Sequence, residues 1–180
     1  QNEGATRAAI LAGLRDLVDG AEPADRVLFH FAGHGSRARD GGGDEDDGMD
    51  ETLVPFDSRE PGIRDITDDE LASVLSRFRT DDVVLVLDSC HSGTATRSAW
   101  VQDRAVPPDG RWELYVDELG TSRQRGKTRA LVERLDERFL VVTGAADYQK
   151  AKDVYVEAAG RSHGALSYSL IRALAHDPMS

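Results

Sequence analysis

Apolar positions follow a helical period in some parts of the chain and form short continuous runs in others. Helical spacing predicts an amphipathic helix over residues 6–18 and another behind the capping box Thr67-Asp68-Asp69-Glu70. The same spacing predicts a short helix over 128–135 and a closing helix over 165–175. Four helices are therefore expected, separated by segments of a different character.

Three short apolar runs predict strands, at residues 26–32, 83–87 and 139–143. The run at 83–87 is purely apolar, which is typical of a strand covered on both faces, and the other two are also predicted to be buried. Helices placed between such strands predict an α/β layered fold, with a mostly parallel central sheet flanked by helices.

Two segments interrupt this pattern. Residues 39–51 are acidic, rich in glycine and without periodicity, which predicts a mobile loop. Residues 94–127 contain Pro107-Pro108 and end in a basic cluster. A connection of that length inside a compact domain is uncommon, and it is often functional or disordered.

Composition narrows the class of protein. The chain has 180 residues, an apolar fraction of 39% and a net charge of −11, which predicts one globular domain that does not bind nucleic acid. No apolar run approaches the roughly 20 residues of a membrane helix, and no signal peptide is visible, so no membrane association is expected. The single cysteine excludes an internal disulfide and favours a cytoplasmic location.

Two reactive side chains follow two of the predicted strands. The first strand continues into Gly33-His34-Gly35, and the second into a segment that contains Cys90. Because parallel strands present their carboxyl ends at one edge of a sheet, His34 and Cys90 are expected at the same edge. Glycines on either side of His34 allow the backbone to turn sharply and to approach a ligand.

A thiol and an imidazole at one edge provide the parts for acyl transfer. A thiol is mostly protonated at neutral pH, and a nearby imidazole takes its proton or stabilises the thiolate. The imidazolium then protonates a leaving amine. Backbone N–H groups of Gly35 and Cys90 are candidates for an oxyanion site. No third residue is obvious, so His34 and Cys90 are predicted to act as a dyad.

Structural roles are the alternatives for these residues. A cysteine after an apolar strand is often a small buried residue, and a histidine at a strand end is often only a hydrogen-bonding group. A zinc site made of His30, His34 and Cys90 is a weaker hypothesis, because the spacing lacks a zinc-finger ligand pair. His91 is interpreted as a bystander.

Three motifs, taken in order, resemble those of metacaspases, which belong to the caspase-like cysteine peptidases together with paracaspases and bacterial orthocaspases. HFAGHGS (30–36) is similar to the histidine motif, DGMDETLVPFD (47–57) to the segment after it, and DSCHSG (88–93) to the nucleophile motif. Weaker likeness continues through 139–146 and 163–165. The resemblance implies a single caspase-like peptidase domain over 1–180, with a large-subunit-like part (1–96), a linker (97–129) and a small-subunit-like part (130–180).

The resemblance also implies a substrate preference. Metacaspases cleave after Arg or Lys, and Asp88 offers a carboxylate that can pair with a basic side chain. The alternative for Asp88 is a carboxylate that caps local N–H groups. Ala32 stands in the predicted substrate pocket, where the family often has Ser. The family's first strand and its Asn-Asp-Ala segment have no counterpart in this chain, which suggests a fragment or an unusual N-terminus.

The resemblance introduces calcium as a candidate cofactor, although the cysteine chemistry itself requires no cofactor. Asp50, Asp68 and Asp69 are the counterparts of carboxylates that bind calcium in many metacaspases, and oxygen ligands suit this cation. Arg97 occupies the region where a further carboxylate is expected and opposes binding. Asp68 and Asp69 are equally explained as acidic residues in the first turn of a helix.

The basic segment 121–129 lies where the family has its subunit junction, which predicts that the protein cleaves itself there. The candidate residues are Arg123, Arg125, Lys127 and Arg129. The expected partners are protein or peptide substrates with Arg or Lys before the cleaved bond, and regulatory domains or proteins. The resemblance implies regulated proteolysis, cell death or defence. Two alternatives stay open: a catalytically silent interaction module, and a separase-like or legumain-like peptidase with another specificity.

Overall fold

The computed structural model describes residues 3–40, 48–89, 101–103, 106–109, 138–144, 152–156 and 160–176. Within these residues the helices are α1 (Arg7–Gly20), α2 (Asp68–Leu75) and α3 (Ala165–His176). The strands are β1 (Val27–Ala32), β2 (His34–Arg39), β3 (Met49–Val54), β4 (Ile66–Thr67), β5 (Val83–Asp88), β6 (Val101–Asp103), β7 (Leu140–Thr143), β8 (Lys152–Val156) and β9 (Arg161–Gly164).

A parallel sheet with the strand order β1-β5-β7 forms the centre of the fold. Its strands are the three apolar runs of the sequence, so the predicted α/β class is confirmed. Strands β1 and β5 pair from Val27 beside Val83 to Ala32 beside Asp88. This register brings the last residues of both strands to one edge of the sheet.

The helices α1 and α2 cover one face of this sheet. Leu14, Leu75 and Leu85 are almost completely buried in the core between the helices and the strands. The side chain of Thr67 accepts a hydrogen bond from the Glu70 N–H, and the Glu70 carboxylate accepts one from the Thr67 N–H. The predicted capping box is therefore confirmed, and it fixes the point where α2 begins.

The predicted burial of the strands is correct for β5 and wrong for β1 and β7. Along β1 the residues alternate: Val27 is buried, whereas Leu28 is 64% exposed. Leu140 at the start of β7 is 61% exposed. Because successive side chains of a strand point to opposite faces, the buried and half-buried residues of β1 share the face towards the core, and exposed residues alternate with them.

The prediction of a mobile loop over 39–51 is wrong for the residues that the structure describes. Strand β2 runs through Arg39, and β3 begins at Met49, with Arg39 paired to Met49. Together with β4 they form a second, antiparallel sheet. The polar sequence conceals these strands because half of their positions face solvent or polar partners.

A third sheet, also antiparallel, has the order β6-β8-β9. Strand β6 lies inside the segment 94–127, which was expected to be a single long loop, so that expectation is corrected there. The closing helix is confirmed as α3, whereas the helix predicted over 128–135 lies outside the described residues. None of the described helices has the length and apolar character needed to cross a membrane.

Candidate active site

The carboxyl ends of β1 and β5 form the predicted site edge. Ala32 and Asp88 are paired residues, and the Gly33 N–H donates to the Asp88 carbonyl oxygen across 3.3 Å. His34 follows immediately, begins β2 and is exposed. The expected placement of His34 at the edge where β5 ends is therefore confirmed.

Packing around the strand end favours glycine at position 33. A Cβ atom at this position would lie 2.8 Å from Cζ of the Phe31 ring, which itself packs against the core. That distance is shorter than real Cβ contacts allow. A side chain immediately before His34 would therefore require the Phe31 ring to move.

Cys90 lies outside the described residues, which end on this side of the gap at Ser89. Ser89 is buried and directly follows Asp88, the last residue of β5. The oxyanion role of Cys90 and the bystander role of His91 also concern residues outside the description. So do the four self-cleavage candidates, at positions 123, 125, 127 and 129.

Asp88 is completely buried at the end of β5. Its Oδ2 atom accepts two hydrogen bonds from Ser167, one from the backbone N–H at 2.8 Å and one from Oγ at 2.6 Å. Ser167 lies in the first turn of α3, where backbone N–H groups have no partner inside the helix. The carboxylate therefore caps a helix that lies 79 residues further along the chain.

Two neighbours of Asp88 were not predicted as part of its site: Ser167, which had no expected role, and His30, which was expected only as a weak zinc ligand. The Nε2 atom of His30 lies 2.8 Å from Ser167 Oγ. His30 and Ala32 share one face of β1, and their paired residues on β5 are Val86 and Asp88. The sequence features that could have revealed this contact are a histidine on the apolar strand and a serine in the first turn of the closing helix.

A second polar cluster lies behind β2 and was also missed. Ser36 is completely buried, and its Oγ donates to the carbonyl oxygens of Val106 and Pro107, both at 3.0 Å. The Val106 N–H donates to the Gly35 carbonyl oxygen at 2.9 Å. The carbonyl oxygen of Gly35, the candidate oxyanion residue, is thus held by Val106.

Arg59 connects this cluster to a buried carboxylate. Its NH2 atom lies 3.1 Å from Ser36 Oγ and 3.1 Å from Asp65 Oδ2. Asp65, with 1% exposure, also accepts hydrogen bonds from Thr52 and Ser58. Arg59 has a left-handed backbone (φ 79°), a conformation unfavourable for a residue with a Cβ.

The calcium candidates lie at the second sheet. Asp50 is buried in β3, while Asp68 and Asp69 begin α2. Among the described residues, no group of three His, Cys, Asp or Glu side chains is arranged to hold a metal ion. The described residues therefore do not form a complete set of calcium ligands.

Comparison with solved structures supports the fold. The crystal structure of a protein from Geobacter sulfurreducens matches this chain with a TM-score of 0.64 and 23% sequence identity. The match covers 96% of this chain and 62% of that one. It agrees with the α/β architecture described above.

Comparison of sequences defines the family. Residues 1–98, more than half of the chain, match the description "Metacaspase, peptidase C14 domain". Metacaspase-1 of Cryptococcus neoformans var. neoformans serotype D is 33% identical over 205 residues, covering 96% of this chain and 44% of that protein. Metacaspase-1B of Neosartorya fischeri is 30% identical over 203 residues, covering 96% of this chain and 48% of that protein.

The family match, on an α/β fold with a parallel central sheet, places the chain in the caspase-like class of cysteine peptidase domains. More particularly, it belongs to the metacaspase peptidase C14 family. The chain spans about half the length of these curated relatives.

Proposed function

We propose that the protein is a cysteine endopeptidase that cleaves after Arg or Lys, with Cys90 as nucleophile and His34 as acid and base. The observation that carries the proposal is the parallel pairing of β1 and β5 up to Ala32 and Asp88. That register brings His34 to the edge where β5 ends, and Cys90 is the second residue after that end. Membership of the metacaspase family supports the same chemistry.

The proposed reaction has two halves. His34 takes the proton of the Cys90 thiol, and the sulfur attacks the carbonyl carbon of the substrate. The N–H groups of Gly35 and Cys90 stabilise the resulting oxyanion. His34 then gives its proton to the leaving amine as the C–N bond breaks, which leaves a thioester. In the second half His34 takes a proton from water as the water oxygen bonds to the thioester carbon; the C–S bond then breaks, the carboxylic acid product leaves, and His34 returns the proton to the sulfur.

The basic specificity is assigned to Asp88, beside Ala32 at the same edge. A carboxylate attracts a guanidinium or ammonium group strongly where water is excluded, and Asp88 is fully buried. Ala32, its neighbour on β1, presents a small side chain and so leaves space beside the carboxylate. The two residues together are proposed to form the floor of the substrate pocket.

Fluorogenic peptides test the whole proposal. Peptides with Arg, Lys, Asp or Asn before the reporter group are incubated with the wild-type protein and with the Cys90→Ala and His34→Ala variants, with calcium and with a chelator. We expect turnover of the Arg and Lys peptides only, and its loss in both variants. Turnover only of the Asp or Asn peptides contradicts the pocket assignment. No turnover of any peptide favours the silent interaction module.

Self-cleavage in the segment 121–129 is a further part of the proposal. That segment carries four basic residues, which an enzyme of this specificity would accept as a substrate. Mass spectrometry of the purified wild-type protein and the Cys90→Ala variant tests it. We expect fragments that end at one of these residues in the wild-type protein alone, and intact chains in both samples refute self-cleavage.

A further inference from the structure

The contact between Asp88 and α3 is a directed chain of three polar side chains. An ionised carboxylate only accepts hydrogen bonds, so the single hydroxyl proton of Ser167 is directed to Asp88 Oδ2. Ser167 Oγ is then an acceptor towards its other neighbour, His30 Nε2. The ring of His30 must therefore carry its proton on Nε2, and the chain of donation is His30 to Ser167 to Asp88.

This chain determines the orientation of the carboxylate. Oδ2 is held from two directions by the N–H and the hydroxyl of one residue. Both carboxylate oxygens belong to one planar group, so fixing Oδ2 also fixes the direction of Oδ1. The backbone donor is in turn fixed by the first turn of α3, and the hydroxyl is fixed by His30.

We propose that Ser167 is a positioning residue that orients Asp88 for recognition of a basic substrate side chain, and that His30 acts through Ser167. The proposal rests on the proposed function, because it assumes that Asp88 binds the basic residue. It goes further by assigning the selectivity of the pocket in part to two residues, on β1 and α3, that do not themselves contact the substrate.

A purely structural role for the contact makes a different prediction. If Ser167 only joined α3 to the sheet, its loss would lower the stability of the protein and leave the ratio of activities towards basic and neutral peptides unchanged. If Ser167 positions Asp88, its loss lowers the activity towards basic peptides selectively. That ratio is the quantity to measure.

The experiment compares the Ser167→Ala, Ser167→Thr and His30→Ala variants with the wild-type protein. The matched control is Ser169→Ala, an exposed serine of the same helix. kcat and KM are measured for peptides with Arg or with Gln before the cleaved bond, and urea unfolding verifies that each variant folds. Losing one hydrogen bond to a charged group predicts a fall of about tenfold in kcat/KM for the Arg peptide.

We expect that fall to appear mainly as a higher KM, to be absent for the Gln peptide, and to be reversed in Ser167→Thr, which keeps the hydroxyl. His30→Ala should give a smaller fall of about threefold, and none when Ser167 is already Ala, because residues that act in series are not additive. Ser169→Ala should match the wild type.

The outcomes separate this proposal from the function on which it rests. If the wild-type protein cleaves Arg peptides and Ser167→Ala does so with unchanged KM, the positioning role is overturned while the proposed function stands. If the losses of kcat/KM in the double variant of His30→Ala and Ser167→Ala are additive, His30 does not act through Ser167. If the wild-type protein cleaves no basic peptide, both proposals fail. Should Ser167→Ala not fold, the variant of the exposed His30, His30→Ala, decides: an unchanged ratio of Arg to Gln turnover rejects the proposed hydrogen-bond chain from His30 through Ser167 to Asp88.

Discussion

Replacing Asp65 by Ala is expected to destabilise the protein far more than removing an exposed carboxylate. Asp65 is 1% exposed, and its two oxygens accept hydrogen bonds from Thr52, Ser58 and Arg59. Alanine leaves all three donors without this acceptor. The variant also removes one of the two hydrogen bonds of the Arg59 side chain and leaves the one to Ser36.

The magnitude follows from these partners. A buried donor that loses its acceptor costs about 1–3 kcal/mol, and a broken buried ion pair costs about 3–5 kcal/mol. The Arg59 side chain is 32% exposed, so solvent screens its share of the pair. Two buried hydroxyls and a partly screened guanidinium therefore predict a loss of about 3 kcal/mol in the free energy of unfolding.

Asp82→Ala provides the matched control. Asp82 pairs with Arg26 at 2.8 Å, but the two side chains are 54% and 88% exposed. Exposed pairs of this kind contribute about 0–1 kcal/mol, so Asp82→Ala is expected to lie in that range.

Urea unfolding followed by circular dichroism measures both variants at one pH and ionic strength. We expect a lower midpoint for Asp65→Ala with an unchanged m-value, which indicates a loss of stability rather than a change in the unfolded state. A loss equal to that of Asp82→Ala would refute the reasoning. Should Asp65→Ala not fold, Thr52→Val removes a single donor and is expected to cost about 1 kcal/mol; a cost near zero would contradict the same argument.

Three further changes test the local structure. Gly13→Ala, on the exposed side of α1 with no atom within 4 Å of the added Cβ, is expected to raise the free energy of unfolding by about 0.5–1 kcal/mol; a lower midpoint in urea would contradict this. Gly33→Ala forces a Cβ to within 2.8 Å of the Phe31 ring and is expected to cost about 1–3 kcal/mol by the same measurement; a neutral effect would show that the ring moves freely. Thr67→Ala removes the acceptor of the Glu70 N–H and is expected to cost about 1 kcal/mol, measured as a lower Tm; an unchanged Tm would show that the capping box adds nothing.

The elements that the sequence predicted correctly are those whose signal is local. The purely apolar run of β5 and the capping box at Thr67 depend on neighbouring residues, and both lie where they were expected. Strands β2 and β3 were missed because their pairing, for example of Arg39 with Met49, is made between two polar segments. Acidic and glycine-rich residues on either side of a strand do not reveal that it has a partner.

The candidate site shows the same contrast between local signals, which the sequence displays, and long-range contacts, which it does not. The edge at which His34 lies was predicted correctly because the residue closely follows a strand, and the parallel order of the sheet determines which edge that is. Ser167 and Asp65 could not be found in this way. Ser167 meets Asp88 across 79 positions, and Asp65 is buried by partners on separate elements, among them Thr52 of β3. Contacts of that kind depend on how separate elements pack, which no short motif encodes.

The long-range contacts also bear on the proposed self-cleavage. A break in the segment 121–129 would separate β5 from β7 in the chain, yet the two strands pair directly in the central sheet. Ser167 would still hold Asp88 through two hydrogen bonds, and Arg138 would still bind Asp81 at 2.7 Å. All of these contacts join the part before the break to the part after it. Cleavage there would therefore leave in place the contacts that hold the sheet edge and orient the Asp88 carboxylate.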